Sequence, residues 1–216
     1  MIAIPAYTGT VHMATMRSLI NDTIELVKRG DRFTLVDDIG NALIADCRGL
    51  IATKFWHSDC DQLIFIDSDV TWESGALLRL IDHPVDVVAG IYPTRAEPIK
   101  YMLHFLDKPE LWADPKTGLL EVKSVPTGFL KISRSCIEKM IMEYPTRHFY
   151  TAERDKQFYP LFDHVFEDGY KWGEDYSFCI RWRKIGGEVW VDPEIKMGHI
   201  GNKIFEGHLG NYLRNR

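Results

Sequence analysis

The feature that most limits the folds open to this chain is a change of hydrophobic period along its first ninety residues, where short apolar runs alternate with stretches whose apolar positions recur every three or four. "MIAI" opens as a strand. Val11 to Lys28 then sets Met13, Met16, Ile20, Ile24 and Val27 at helical spacing until Gly30 stops it. "FTLV" (33–36) is a second strand, followed by a helix with Leu43, Ile44, Cys47, Leu50, Ile51 and Phe55 on one face. "QLIFI" (62–66) is the third strand, Glu73 to Ile81 the next helix, and "VDVVAGI" (85–91) the fourth strand. This alternation predicts an α/β fold whose central sheet is mostly parallel, with helices on both faces, a class that includes many nucleotide binders.

Beyond Pro93 the runs shorten to "YMLHFL", "LLEVKSV" and "GFLKI", with turn signals such as "DPKTG" between them, so a smaller mixed or antiparallel part is expected. Ser135 and Glu138 have capping-box spacing ahead of a helix with Ile137, Met140, Ile141 and Tyr144 on its apolar stripe. The aromatic and acidic stretch 150–172 has no clear period and reads as a long loop. A helix from Glu174 to Ile185, the stop Gly186-Gly187, the strand "EVWV" and the loop "DPEIKMGHIG" follow. A chain of 216 residues with 45% hydrophobic content supports one sizeable core and hence a single domain, 1–216.

A formal charge of −5 with scattered Lys and Arg argues against a nucleic-acid or membrane-surface partner. Apolar runs of a handful of residues give no membrane span, and "MIAIPAYTG" has no basic start or apolar signal region, so a cytoplasmic protein is expected. Cys47, Cys60, Cys136 and Cys179 form no C-x-x-C pair and read as reduced thiols.

The third strand ends in "DSD". In an open parallel sheet ligands collect at the carboxyl ends of strands, where Asp67, Ser68 and Asp69 fall. Asp69 capping a helix and Asp67 closing a turn would use the same residues. Two carboxylates with no basic partner in the local sequence are costly at a buried edge unless a proton or cation intervenes. Hard oxygen ligands suit Mg²⁺ or Mn²⁺, which complete their shells with water and phosphate, so a diphosphate is the expected ligand. His199, in "KMGHIG", where Gly198 and Gly201 would let the backbone fold tightly around the imidazole, is a candidate third ligand that would favour manganese, and it is equally an ordinary histidine. Glu174 and Asp175 open a helix; the dipole there keeps a carboxylate ionised, with a lowered pKa, and leaves it able to accept a proton. Trp172 offers a face to a sugar ring or to the core.

In family order, "IAIPAY", "DSD", "VVAGIYP", "PTGFLKI", "WGEDYSFCIRWRKIGG" and "GHIG" resemble the motifs of GT-A fold glycosyltransferases, especially compact family 2 members, over almost the whole chain. The resemblance implies a Rossmann-like nucleotide-binding half (1–92) and a half that binds acceptor and sugar (93–216). It implies transfer of a sugar from a nucleoside-diphosphate sugar, UDP-linked in the leading case, to a hydroxyl of a glycan or protein-glycan acceptor. Asp67, Asp69 and His199 would hold Mn²⁺ or Mg²⁺ against the diphosphate. Asp175 would be the base of an inverting reaction, with Glu174 orienting it or touching the acceptor. Pro5 and Tyr7 would cradle the base and ribose, Asp37 or Asp38 would bond the pyrimidine, and Thr127 and Gly128 would line the sugar pocket. Arg48, at the edge of its helix's apolar arc, would reach a phosphate or base, or else sit in a surface ion pair. The "WGED…GG…GHIG" block also resembles retaining GT-A enzymes that act on protein hydroxyls. Small forms of this kind are similar to phage- or virus-encoded members, which places the expected compartment in the cytoplasm of an infected host cell, or to catalytic domains of longer chains.

Two other functions use similar parts. A sugar nucleotidyltransferase shares the sheet and the paired acids but normally has a Gly-rich, basic loop after its first strand, and "PAYTGTVHM" has neither. A non-catalytic glycan-binding module would keep its ligand without Asp175.

Overall fold

The computed structural model describes residues 1–149 and 157–215. Its first half follows the alternation seen in the sequence: β1 (Ile2–Ala6), α1 (Met13–Arg29), β2 (Leu35–Ile39), α2 (Ile44–Trp56), β3 (Gln62–Ile66), β4 (Val70–Trp72), α3 (Ala76–Asp82) and β5 (Val87–Ala89). The second half is made of smaller pieces: β6 (His104–Phe105), β7 (Leu120–Ser124), β8 (Phe129–Ser133), α4 (Arg134–Glu143), β9 (His148–Phe149), β10 (Gln157–Phe158), β11 (Phe166–Glu167) and β12 (Tyr170–Lys171). It closes with α5 (Glu174–Lys184), β13 (Val189–Val191), β14 (Lys196–Ile200), β15 (Ile204–His208) and α6 (Leu209–Arg214).

One eight-stranded sheet in the order β2-β1-β3-β8-β5-β13-β7-β6 carries the fold. The pairings make β8 and β7 antiparallel to their neighbours, so the other six strands run one way. Strands from both halves of the chain therefore interleave, with β8 seated between β3 and β5. Alternation along β3 sends Ile64 and Ile66 to one face, among Leu19, Leu26, Leu77 and Leu80 of α1 and α3. It sends Leu63 and Phe65 to the other, among Phe55, Ile137, Met140, Phe178 and Trp182 of α2, α4 and α5. Among the described residues no helix is long and apolar enough to cross a membrane, and all four cysteines are free.

Several local expectations need correction. The apolar stripe of α1 does not face the core: Met13 is 76% and Val27 62% exposed, with Ile20 and Ile24 also outside, whereas Thr15, Leu19, Asp22 and Leu26 are buried. The cause is Asp22. Its carboxylate accepts from the Trp72 indole Nε1 (2.9 Å) and from the backbone N–H groups of Gly75 (2.7 Å) and Leu77 (2.9 Å), capping α3 from a different helix. Those three donors keep a charged group on the buried face in place of an apolar one. The cap of α4 is Ser133, which accepts from the Cys136 N–H at 3.0 Å, not Ser135. Residues 196–200 form a strand and not a loop, because β14 is paired on both sides, by β4 and β15. In 150–172, residues 150–156 lie outside the described residues, and the rest carries two short ladders instead of one open loop.

Asp22→Ala would strand two backbone donors and an indole N–H in the core. Urea denaturation at pH 7 is expected to give a loss of about 3–5 kcal/mol, against less than about 0.5 kcal/mol for Asn21→Ala on the exposed face.

Candidate active site

The carboxyl ends of β1, β2 and β3 surround a cavity of about 430 Å³. The end of β1 contributes Pro5 and Ala6, and Tyr7 follows it; β2 and the turn after it contribute Asp38, Asn41 and Ala42; α2 contributes Ile44, Cys47 and Arg48. Asp67, Ser68 and Asp69 follow β3, Tyr92 and Arg95 follow β5, Glu174 begins α5 and His199 comes from β14. Four carboxylates thus face two guanidiniums, which leaves a formal excess of two negative charges.

The small sheet brings the most distant of these parts together. β14 pairs antiparallel with β4 in the register His199↔Val70, and the Ile200 N–H donates to the Asp69 carbonyl at 2.8 Å. His199 Nε2 consequently lies 3.8 Å from Asp69 Oδ1. Its Nδ1 donates to the Pro93 carbonyl at 2.9 Å, which fixes the tautomer and leaves Nε2 as the acceptor. Burial is the main cause of a lowered ring pKa, opposed by the bond to Pro93 and aided by the charge of Arg95, and the Arg95 Nε donating to Nε2 requires a neutral imidazole.

Basic partners for the aspartates exist, contrary to the local sequence. Arg48, buried on α2, donates to Asp67 Oδ1 at 3.1 Å and to Glu174 Oε1 at 2.5 Å. Burial alone would lower its pKa, but Asp67 and Glu174 outweigh that and the net shift is upward. Its ion pairs are thus buried and not on the surface, and its Nε is without a partner among the described residues. Arg95 pairs with Asp69, and its Nε donates to His199 Nε2 at 2.9 Å.

Gly128 is required by Asp67. A Cβ there would stand 2.5 Å from both Asp67 Oδ2 and the Tyr92 hydroxyl, and the Asp67 N–H donates to the Gly128 carbonyl at 2.9 Å. Tyr92 in turn donates to Asp67 Oδ2 at 3.4 Å and meets the His199 ring edge-on, with centroids 4.8 Å apart.

Asp175 departs from the expectation of a lowered pKa. Burial is the main cause of a rise to about 6, with repulsion from Glu174 next, and the Tyr176 N–H and Arg48 only partly offset them. Desolvation therefore overrides the helix dipole.

Of the residues singled out from sequence, Pro5, Tyr7, Asp38, Arg48, Asp67, Ser68, Asp69, Glu174 and His199 line the cavity. Asp37 is exposed on the opposite face of β2 from Asp38. Thr127 is buried with its hydroxyl unpaired among the described residues, and neither it nor Gly128, Asp175 or Trp172 lines the cavity. Trp172 is half-buried against His104, Tyr170 and Tyr176. Sequence reasoning missed Asn41, whose amide donates to Asp38 at 3.0 Å, and Tyr92 and Arg95, although the strand-end rule that selected Asp67 applies equally to the end of β5.

The scaffold is a mixed α/β fold built on one large, mostly parallel sheet, and it matches the fold of solved GT-A glycosyltransferases. No family model matches the chain, and no curated protein matches it. Among solved structures, A197 from STIV aligns with a TM-score of 0.55 at 20% identity over 93% of this chain and 85% of that one. GalNAc-T7, crystallised with UDP, GalNAc and Mn²⁺, aligns with a TM-score of 0.50 at 12% identity over 93% of this chain and 43% of that one.

Gly128→Ala is expected to push the Asp67 carboxylate and Tyr92 apart, costing about 2–4 kcal/mol, measured by thermal melting. Asp175 has a second, opposite signature. Its folded pKa lies above the ordinary carboxylate value, so the stability it contributes is complete below the unfolded pKa and is lost as pH rises through about 6. Asp175→Asn should be more stable than wild type at pH 8 by about 1–3 kcal/mol, with the difference closing below about pH 4.

Proposed function

We propose that this protein is a metal-dependent glycosyltransferase, related to compact family 2 members, that moves a sugar from a nucleoside-diphosphate sugar, UDP-linked in the leading case, to an acceptor hydroxyl. The observation that carries the reading is the strand-end cavity whose acids outnumber its cations by two, because a diphosphate would be repelled there until a divalent ion evens the balance.

The residues fit such an ion. His199 presents a neutral nitrogen lone pair, its ring held by the Pro93 carbonyl, beside an Asp69 oxygen, and Asp67 stands two positions before Asp69 on the same rim. Among the described residues no three acidic, His or Cys side chains are grouped closely enough to hold an ion by themselves, so water and substrate phosphates would have to complete its shell. Asp67, Asp69 and His199 would hold Mn²⁺ or Mg²⁺, which when bound supplies positive charge against the departing diphosphate.

The protein's own groups do the rest. Pro5 and Tyr7 flank the base and ribose, and Asp38, held by Asn41, is placed to bond the base, a role the exposed Asp37 leaves to its neighbour. Arg48 fixes Asp67 and Glu174 relative to each other. Thr127 and Gly128, the latter packed against Asp67, would border the donor sugar, and Trp172, in contact with Tyr176, would meet a glycan or protein-glycan acceptor. Asp175, ionised at pH 7 yet basic for a carboxylate, is the base that takes the acceptor proton in an inverting transfer.

With UDP-sugars and Mn²⁺, slow donor hydrolysis is expected that Asp67→Ala and Asp69→Ala abolish; unchanged turnover in both rejects the reading. Asp175→Asn should bind UDP as wild type does and lose about 10²–10⁴-fold in transfer, while wild-type transfer rises with pH to a plateau above about 6.

A further inference from the structure

Arg95 makes two contacts whose combination is unusual for a structural ion pair. Its guanidinium pairs with Asp69, and its Nε donates to His199 Nε2 at 2.9 Å. A neutral imidazole has one in-plane lone pair, and with Nδ1 committed to the Pro93 carbonyl that lone pair is on Nε2. A hydrogen bond from Arg95 and a bond to a metal ion would use the same electrons, so the two are mutually exclusive.

The surroundings let this cation leave. The Arg95 side chain is 45% exposed, and its stem rests on Gly201, where a Cβ would come within 3.3 Å of Cδ. The base of its segment is closed by the Pro93↔Tyr101 bridge and by the Thr94 N–H donating to the Lys100 carbonyl at 2.8 Å. Pro93, which fixes the His199 tautomer, therefore stays in place whichever way the Arg95 side chain points. Arg48 has no such freedom, being buried between two acids.

We propose that Arg95 is a displaceable stand-in cation that holds Asp69 and His199 together until a divalent ion takes both from it. This rests on the metal-dependent reading above. Metal affinity is then set by competition: the ligands are free only in the fraction of molecules in which Arg95 has swung out, and the apparent dissociation constant is raised by the inverse of that fraction.

The test is Mn²⁺ binding at pH 7.5 without any nucleotide, by calorimetry or by loss of the free-ion electron paramagnetic resonance signal, on the full chain and on Arg95→Gln. The substitution is expected to tighten Mn²⁺ binding roughly ten-fold. Melting in EDTA should show Arg95→Gln folded but less heat-stable than wild type, with Mn²⁺ restoring it, since two ligands have lost their partner. Measurable but equal affinity in the two proteins, or weaker binding by Arg95→Gln, overturns this proposal and leaves the metal-dependent reading standing. Binding by neither protein overturns both.

Discussion

Arg48 lies between two carboxylates that are 107 positions apart in the sequence and that end opposite kinds of element: Asp67 closes β3 and Glu174 opens α5. Its burial makes that arrangement demanding. A guanidinium out of water is tolerated only with its counter-charges in good geometry, and removing it would leave both acids uncompensated at the floor of the cavity. The rest of the site inherits its positions from this contact. Asp67, fixed on one oxygen by Arg48, turns the other to Tyr92, and the space for both groups exists because residue 128 has no side chain. Tyr92 then borders His199, so the buried cation reaches the far side of the rim through one carboxylate and one phenol.

The same contact separates the chemistry of adjacent acids. Glu174 is the partner of Arg48, and its charge is used within the protein. Asp175, one residue later, has no guanidinium of its own among the described residues; it loses water and feels the neighbouring negative charge, and its pKa climbs to about 6. Two neighbouring carboxylates with different environments are how a fold obtains both a fixed charge and a proton acceptor from one helix turn. Keeping Asp175 ionised at neutral pH costs stability, a cost that fits the role proposed for it above.

What could be read from the sequence follows the range of the interaction involved. β3 was legible to the residue because a run buried on both faces needs no partner to identify it, and Asp67, Asp69, Glu174 and Asp175 were legible because strand ends and helix starts are marked locally. β2 begins two residues and ends three residues later than expected because its register with β1, Ile2↔Leu35 to Ala6↔Ile39, is a property of the pair. The wrong face of α1 has the same origin: periodicity located the helix, but its orientation is decided by Asp22 meeting donors fifty or more residues away. The arginines are the clearest case. No window around "DSD" contains Arg48 or Arg95, so the apparent isolation of those acids was a property of the window and not of the molecule.

The glycines around His199 show how a motif can be found correctly and explained wrongly. A tight turn around the imidazole was the natural expectation for "GHIG", yet Gly198 lies within a paired strand, where a Cβ would stand 2.5 Å from the Thr71 hydroxyl oxygen. Its requirement is close approach of β14 to β4, and that approach is what carries His199 to Asp69. Because β15 covers the other edge of β14, the third candidate ligand depends on a ladder built from residues 70–72, 196–200 and 204–208. The acids are held by the large sheet and the histidine by the small one, so the distance between Asp69 and His199 is set where the two sheets meet, at the segment 67–70. Arg95 makes its contacts at that same segment, so the cation proposed above to give way to a metal ion sits where the two sheets join.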